Sequence, residues 1–178
     1  MRKKVSKKSG TKSAINIPPL FDINGDTLKP VDAVNFEKEK ELQALIENNL
    51  TQFSCRFIDS EFHTGMEHRG RIDTLALSAN NHPVIIEYKK QKSSGLIPQI
   101  FSYIAWLRYH KGDFEIAARK RLGYNIEVDW RVIHGICFAP SYGERDLQAV
   151  KIVNSDIEIE LLQYRLGKNN SLGLEKIN

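Results

Sequence analysis

The sequence has only two cysteines in 178 residues, Cys55 and Cys137, far apart and matching no metal-ligand spacing. That excludes a disulfide framework and reads as reduced thiols in a cytosolic protein. No apolar run approaches the ~18 residues of a membrane span, so no membrane partner is expected. The N-terminal stretch MRKKVSKKSGTKS carries basic residues without an apolar core and does not read as a secretory signal. Internal repeats and a second linker are also lacking, and the length suits one domain with a real core.

Acid is lacking at one end. Residues 1–14 hold six basic residues (Arg2, Lys3, Lys4, Lys7, Lys8, Lys12) and no Asp or Glu. The whole chain has 26 basic and 22 acidic residues. Without that stretch 20 basic residues face 22 acidic ones, a body of −2 inside a chain of +4. The high isoelectric point therefore belongs to an arm, and total charge alone does not license a nucleic-acid partner. Residues 1–18 read as a disordered basic arm, equally a non-specific nucleic-acid tether or a plain terminus. Residues 19–178 read as one folded domain.

What is present is a mixture of helix and strand signals. Asn24-Gly25-Asp26 marks a small hairpin. Asn35 is placed to cap a helix over 36–53, in which Leu42, Leu45, Ile46 and Leu50 recur at helical spacing. CRFIDSEF, RIDTLALS and VIIEYKK read as strands, the last two joined through ANNHP as a hairpin and the last central because its apolar run is continuous. LIPQIFSYIAWLRYH and DFEIAARKRLG read as helices, RVIHGICFA as a strand, Ser141–Val150 as a helix and DIEIELLQYRL as a strand. Intermingled elements favour a sheet between helices.

Charge in the middle of these strands is the chemical signal. Glu87 and Lys89 share a face of VIIEYKK, and the hairpin brings Asp73 beside Glu87. Two converging carboxylates with one ammonium are costly when buried unless paired or metal-bound, and hard oxygen ligands with open water positions suit Mg²⁺ or Mn²⁺. A structural ion-pair network on a sheet edge is the other reading of the same spacing.

Asp73 with Glu87-Tyr88-Lys89 resembles the D…E-x-K signature of the PD-(D/E)XK nuclease superfamily, without its preceding proline, since Ile72 stands there. The flanks, from a glutamate-bearing helix through RIDTLAL and VIIEYKK to QIFSY, are similar to the catalytic domain of NucS-type endonucleases and to proteins grouped beside them, over about residues 20–164. The N-terminal DNA-binding and dimerisation domain of NucS has no counterpart. The resemblance implies an α/β fold with a restriction-endonuclease-like mixed β-sheet flanked by α-helices, as a single domain over 19–178. It implies a Mg²⁺- or Mn²⁺-dependent deoxyribonuclease of repair or defence type. Asp73 and Glu87 would be metal ligands and Lys89 the catalytic ammonium. Glu39, in an E-x-x-L setting, would be the helix glutamate, with Glu41 as the fallback about 200° around the helix. Gln99 would be the helix glutamine beside the metal or a phosphate. DNA is the partner implied; RNA and a homodimer are left open. A non-catalytic nucleic-acid-binding or interaction module that kept the fold is the alternative.

Other residues divide between roles. Arg71 shares the face of Asp73 and either pairs with an acid or meets a phosphate. Lys90 and Lys92 begin a basic stretch that continues through Arg108, Lys111, Arg119, Lys120 and Arg121, as solvated faces or a phosphate-tracking patch. Tyr103 is divided between core and nucleic-acid contact, and Trp106 reads as core. His63, His68 and His82 read as solvated loop residues.

Overall fold

The structure is a computed structural model that describes residues 19–92, 95–152 and 155–178. The basic arm over 1–18 lies outside the described residues. In chain order the elements are β1 (Phe21–Asn24), β2 (Thr27–Pro30), β3 (Ala33–Val34), α1 (Glu39–Glu47), β4 (Cys55–His63), α2 (Gly65–His68), β5 (Arg71–Ser78), β6 (Pro83–Tyr88), α3 (Leu96–Tyr109), α4 (Lys111–Leu122), β7 (Ile133–Ala139), α5 (Glu144–Ala149), β8 (Ile157–Gly167) and β9 (Leu172–Lys176).

β1 and β2 form a separate hairpin through Gly25, whose φ of +57° is open to glycine at little cost. The other strands make a seven-stranded sheet in the order β3-β8-β7-β6-β5-β4, with β9 also paired to β8. β4, β5 and β6 run antiparallel in sequence order. β6, β7 and β8 are parallel, and the chain returns between them through α3–α4 and α5. Every residue of β6 is buried, as a strand with neighbours on both sides and helices on both faces must be.

Strand alternation sorts the core into two layers. Leu75, Leu77 and Ile85 pack against Ile97, Ile100 and Leu107 of α3. From the opposite face, Ala76, Val84, Ile86 and Tyr88 meet Leu42 and Ile46 of α1. The result is the mixed sheet flanked by helices expected from the sequence. Among the described residues no helix is long and apolar enough to cross a membrane.

Three local expectations need correction. Helix α1 begins at Glu39 with Lys38 at its N-cap, not at Asn35. The reason is Glu41, whose carboxylate turns back to accept the Glu37 and Lys38 N–H groups at 3.0 and 3.4 Å and satisfies the helix start itself. The helix stops at Glu47, and Leu50–Phe53 is a separate 3₁₀ turn. His82 is not solvated: its ring stacks on His134 at 5.2 Å and its Nε2 lies 3.5 Å from Asp129. β9 went unanticipated because LGLEK has little apolar alternation; it forms by pairing along β8.

Candidate active site

The β5–β6 ladder ends at Thr74–Ile86, one pair short of Asp73 and Glu87. Side chains take over the backbone groups there. The Asp73 N–H donates to Glu87 Oε1 at 3.1 Å, and the Tyr88 N–H donates to Asp73 Oδ2 at 3.2 Å. The two carboxyl groups are thereby held side by side, each accepting a backbone N–H of the strand pair. The sequence expectation that the hairpin sets Asp73 beside Glu87 is what the structure shows.

Electrostatics make this pair unusual. Glu87 is fully buried and Asp73 half-buried. Burial, then the Asp73 charge beside it, push the Glu87 carboxyl up to about 9 from its ordinary 4.5. Burial also raises Asp73, against the lowering pull of the Tyr88 N–H and of Lys89. Two carboxylates cannot both ionise cheaply here unless a cation stands between them. Their oxygens are hard donors, so the pair suits a divalent ion such as Mg²⁺ or Mn²⁺. Among the described residues no three His, Cys, Asp or Glu side chains form a ready-made cage. Mg²⁺ does not require one, since it is commonly bound through one or two carboxylates and keeps several waters.

The other expected residues converge from two helices. On α3, Gln99 Nε2 donates to Glu87 Oε2 at 2.8 Å and lies 3.3 Å from the Tyr103 hydroxyl one turn on. On α1, Glu39 Oε1 is 3.3 Å from Lys89 Nζ, and its Oε2 accepts the Lys90 N–H at 3.1 Å. Lys89 lies just past the end of β6 and engages Glu39 rather than Glu87. Glu41, spent on its own helix start, reaches neither.

The residues expected to meet nucleic acid are spread unevenly. Arg71 is exposed and ion-paired with Glu61 at 2.5 Å. Lys90 places its ammonium on the Glu37 carbonyl at 2.7 Å, and Lys92 is exposed. Tyr103 is 6% exposed, and its hydroxyl donates to the Arg71 carbonyl at 2.8 Å, a position from which it holds the chain rather than presents a ring. Trp106 is core, as expected. The later basic residues turn to local partners: Arg108 pairs with Asp156, Arg119 with Glu115, and Arg121 lies over Phe57. A cavity of about 820 Å³ lies between β4 and α4 and is not lined by Asp73 or Glu87. A smaller one, about 470 Å³, reaches Arg69, Gly70 and Arg71.

The loop before β5 is built on close contact. His68, expected in solvent, bonds Thr64 at 2.9 Å and Ser102 of α3 at 2.8 Å. A Cβ on Gly70 would stand 2.7 Å from both His68 Nδ1 and Tyr103 Cε1. Gly70→Ala should therefore cost about 1–3 kcal/mol in chemical denaturation by forcing the loop off α3. A wild-type midpoint would show that the loop is not held there.

Sequence reasoning missed two residues. Glu61 adopts a left-handed φ of 56° within β4, and its carboxylate also reaches Lys40 at 3.6 Å; a glutamate in a strand gives no hint of this. Gln43 donates to the Asp73 carbonyl at 2.8 Å. Its signal was legible: a polar side chain on the apolar face of α1 between Leu42 and Ile46.

No family model matches the chain. An uncharacterised protein of Haemophilus influenzae is 32% identical over 164 residues, covering 89% of this chain and 53% of that protein. The solved structure of EndoMS in complex with double-stranded DNA aligns with a TM-score of 0.50 at 19% identity, over 76% of this chain and 51% of that one. A repair endonuclease from Pyrococcus abyssi aligns at 19% identity, over 74% of this chain and 50% of that one, with a TM-score of 0.41. The chain thus spans about half the length of each of them. With a mixed sheet and helices on both faces, the chain has a restriction-endonuclease-like α/β fold.

Proposed function

We propose that the protein is a divalent-metal-dependent endonuclease that hydrolyses DNA phosphodiester bonds. The observation that carries this reading is the Asp73–Glu87 pair, joined through the Asp73 N–H, with Glu87 fully buried and an ammonium two residues beyond it. DNA as the substrate is supported by the fold shared with EndoMS, which was solved on double-stranded DNA.

Asp73 and Glu87 would hold the cation, one carboxyl from each side of the hairpin. When bound, a divalent ion supplies Lewis acidity to a phosphodiester oxygen and lowers the pKa of attacking water. The protein's own groups do the rest. Gln99 fixes the orientation of Glu87 by donating to its outer oxygen. Lys89 presents positive charge where negative charge develops on the phosphorus oxygens. Glu39 holds that ammonium and, through the Lys90 N–H, the backbone just beyond it. Arg71 is exposed on the strand that carries Asp73 and can meet a neighbouring phosphate by leaving Glu61.

The test is Lys89→Ala on labelled single-stranded, forked and mismatched DNA with Mg²⁺. Cleavage should fall about 10²- to 10³-fold, the scale of removing one positioned charge. Stability should change by under about 1 kcal/mol, because the Lys89–Glu39 pair is partly exposed. Full cleavage by the variant would sink the assignment. Salt-dependent DNA binding by the wild type without cleavage or metal affinity would mark a non-catalytic binding module.

A further inference from the structure

Glu39, Gln43 and Glu47 stand at i, i+4 and i+8 on α1, one above another at roughly 6 Å steps. Each holds a different part of the candidate site. Glu39 takes Lys89 and the Lys90 backbone. Gln43 Nε2 donates to the Asp73 carbonyl at 2.8 Å and lies 3.0 Å from both Ser60 Oγ and Glu47 Oε1. Glu47 Oε1 accepts the Thr74 hydroxyl at 2.6 Å, and that hydroxyl is 3.1 Å from the Tyr88 hydroxyl. This polar row lies against the sheet beside an otherwise apolar contact made by Leu42 and Ile46.

Packing alone gives no reason for a glutamine at this place. Gln43 is 6% exposed, and a buried amide costs free energy unless its hydrogen bonds are made. An apolar side chain of the same size would fill the space without that demand. What the amide supplies is specific. Because the β5–β6 ladder stops at Thr74–Ile86, both backbone polar groups of Asp73 are taken up by side chains. Its N–H goes to Glu87 and its carbonyl to Gln43.

We propose that Gln43 is a positioning residue for Asp73, and that the row Glu39–Gln43–Glu47 makes α1 the part that sets the carboxyl pair and the Lys89 ammonium relative to one another. Its kinetic consequence rests on the nuclease reading; the geometric claim does not.

The experiment compares wild type with Gln43→Met, which keeps the bulk and loses the donor. Amide hydrogen exchange is followed at Asp73 and Tyr88, whose N–H groups are protected by the carboxyl pair, with Leu75 and Ile85 as references on the same strands. The proposal expects protection at Asp73 and Tyr88 to fall about 10-fold relative to the references. It also expects kcat for DNA cleavage to fall by a similar factor with KM unchanged. An equal loss at all four amides, or none at Asp73 and Tyr88, overturns it, as does a wild-type kcat in the variant. If Gln43→Met does not fold, Gln43→Asn, which keeps a donor but shortens its reach, should show the same selective loss to a smaller degree. Absence of cleavage by the wild type would end the nuclease reading and leave the exchange result to decide the positioning role.

Discussion

Glu87→Gln should abolish metal-dependent cleavage and leave a protein that, without metal, is more stable at pH 8 than the wild type. The loss should be about 10³-fold or greater, since the proposed metal ligand and its negative charge are removed together. The gain follows from burial. Glu87 is fully enclosed, and burial with the Asp73 charge beside it makes ionisation unfavourable in the folded state. The amide has the same shape, its carbonyl can accept the Asp73 N–H, and Gln99 can turn its own amide to accept from the new NH₂. No buried polar group is orphaned, and the ionisation cost disappears. Urea denaturation in EDTA checks the stability, and a single-turnover cleavage assay checks the activity. A variant that cleaves normally would remove Glu87 from the site; one that unfolds would show the carboxylate is structural.

The second large effect is a pH dependence that a divalent cation reverses. The carboxyl of Glu87 rises from an ordinary 4.5 to about 9 on folding, so between those values the folded state binds more protons than the unfolded one. The stability this group contributes is therefore fully present below about pH 4.5 and is lost as the pH rises towards 9. Asp73 is shifted in the same direction and adds to the slope. In EDTA the melting temperature should decline across that window, and the decline should be shallower in Glu87→Gln. A divalent cation binds only the deprotonated pair, so its stabilising effect should grow with pH. At 100 times its dissociation constant it adds about 2.7 kcal/mol. Scanning calorimetry with and without Mg²⁺ between pH 5 and 9 gives both slopes. A metal-free stability that rises with pH would contradict the assignment of the pair.

Much of this site was readable before any coordinates. The Asp73–Glu87 pairing followed from a turn at ANNHP and the two-residue period of the strands, both local properties of the chain. Helix α3 was legible from its apolar spacing, and with it the position of Gln99 and Tyr103 on one side. Contacts between distant segments were not legible in the same way. The helix face shared with Leu42 and Ile46 turns Glu39 inward, but nothing in E-K-E-L says that it reaches Lys89 or that Glu41 folds back on Glu37 and Lys38, because those contacts depend on where the helix begins. Asn35 offered a good cap, and a side chain four residues beyond Glu37 displaced it. Tyr103 illustrates the same limit: its spacing left it between core and nucleic-acid contact, and only the fold shows its hydroxyl committed to the Arg71 backbone under the loop packed at Gly70.

Cleavage of labelled forked and mismatched duplexes by the purified protein, in Mg²⁺ and in EDTA, tests the central claim most directly. Strand scission should require the cation, vanish in EDTA and be absent from Glu87→Gln under the same conditions. Scission that persists in EDTA, or that survives the loss of Glu87, would contradict it.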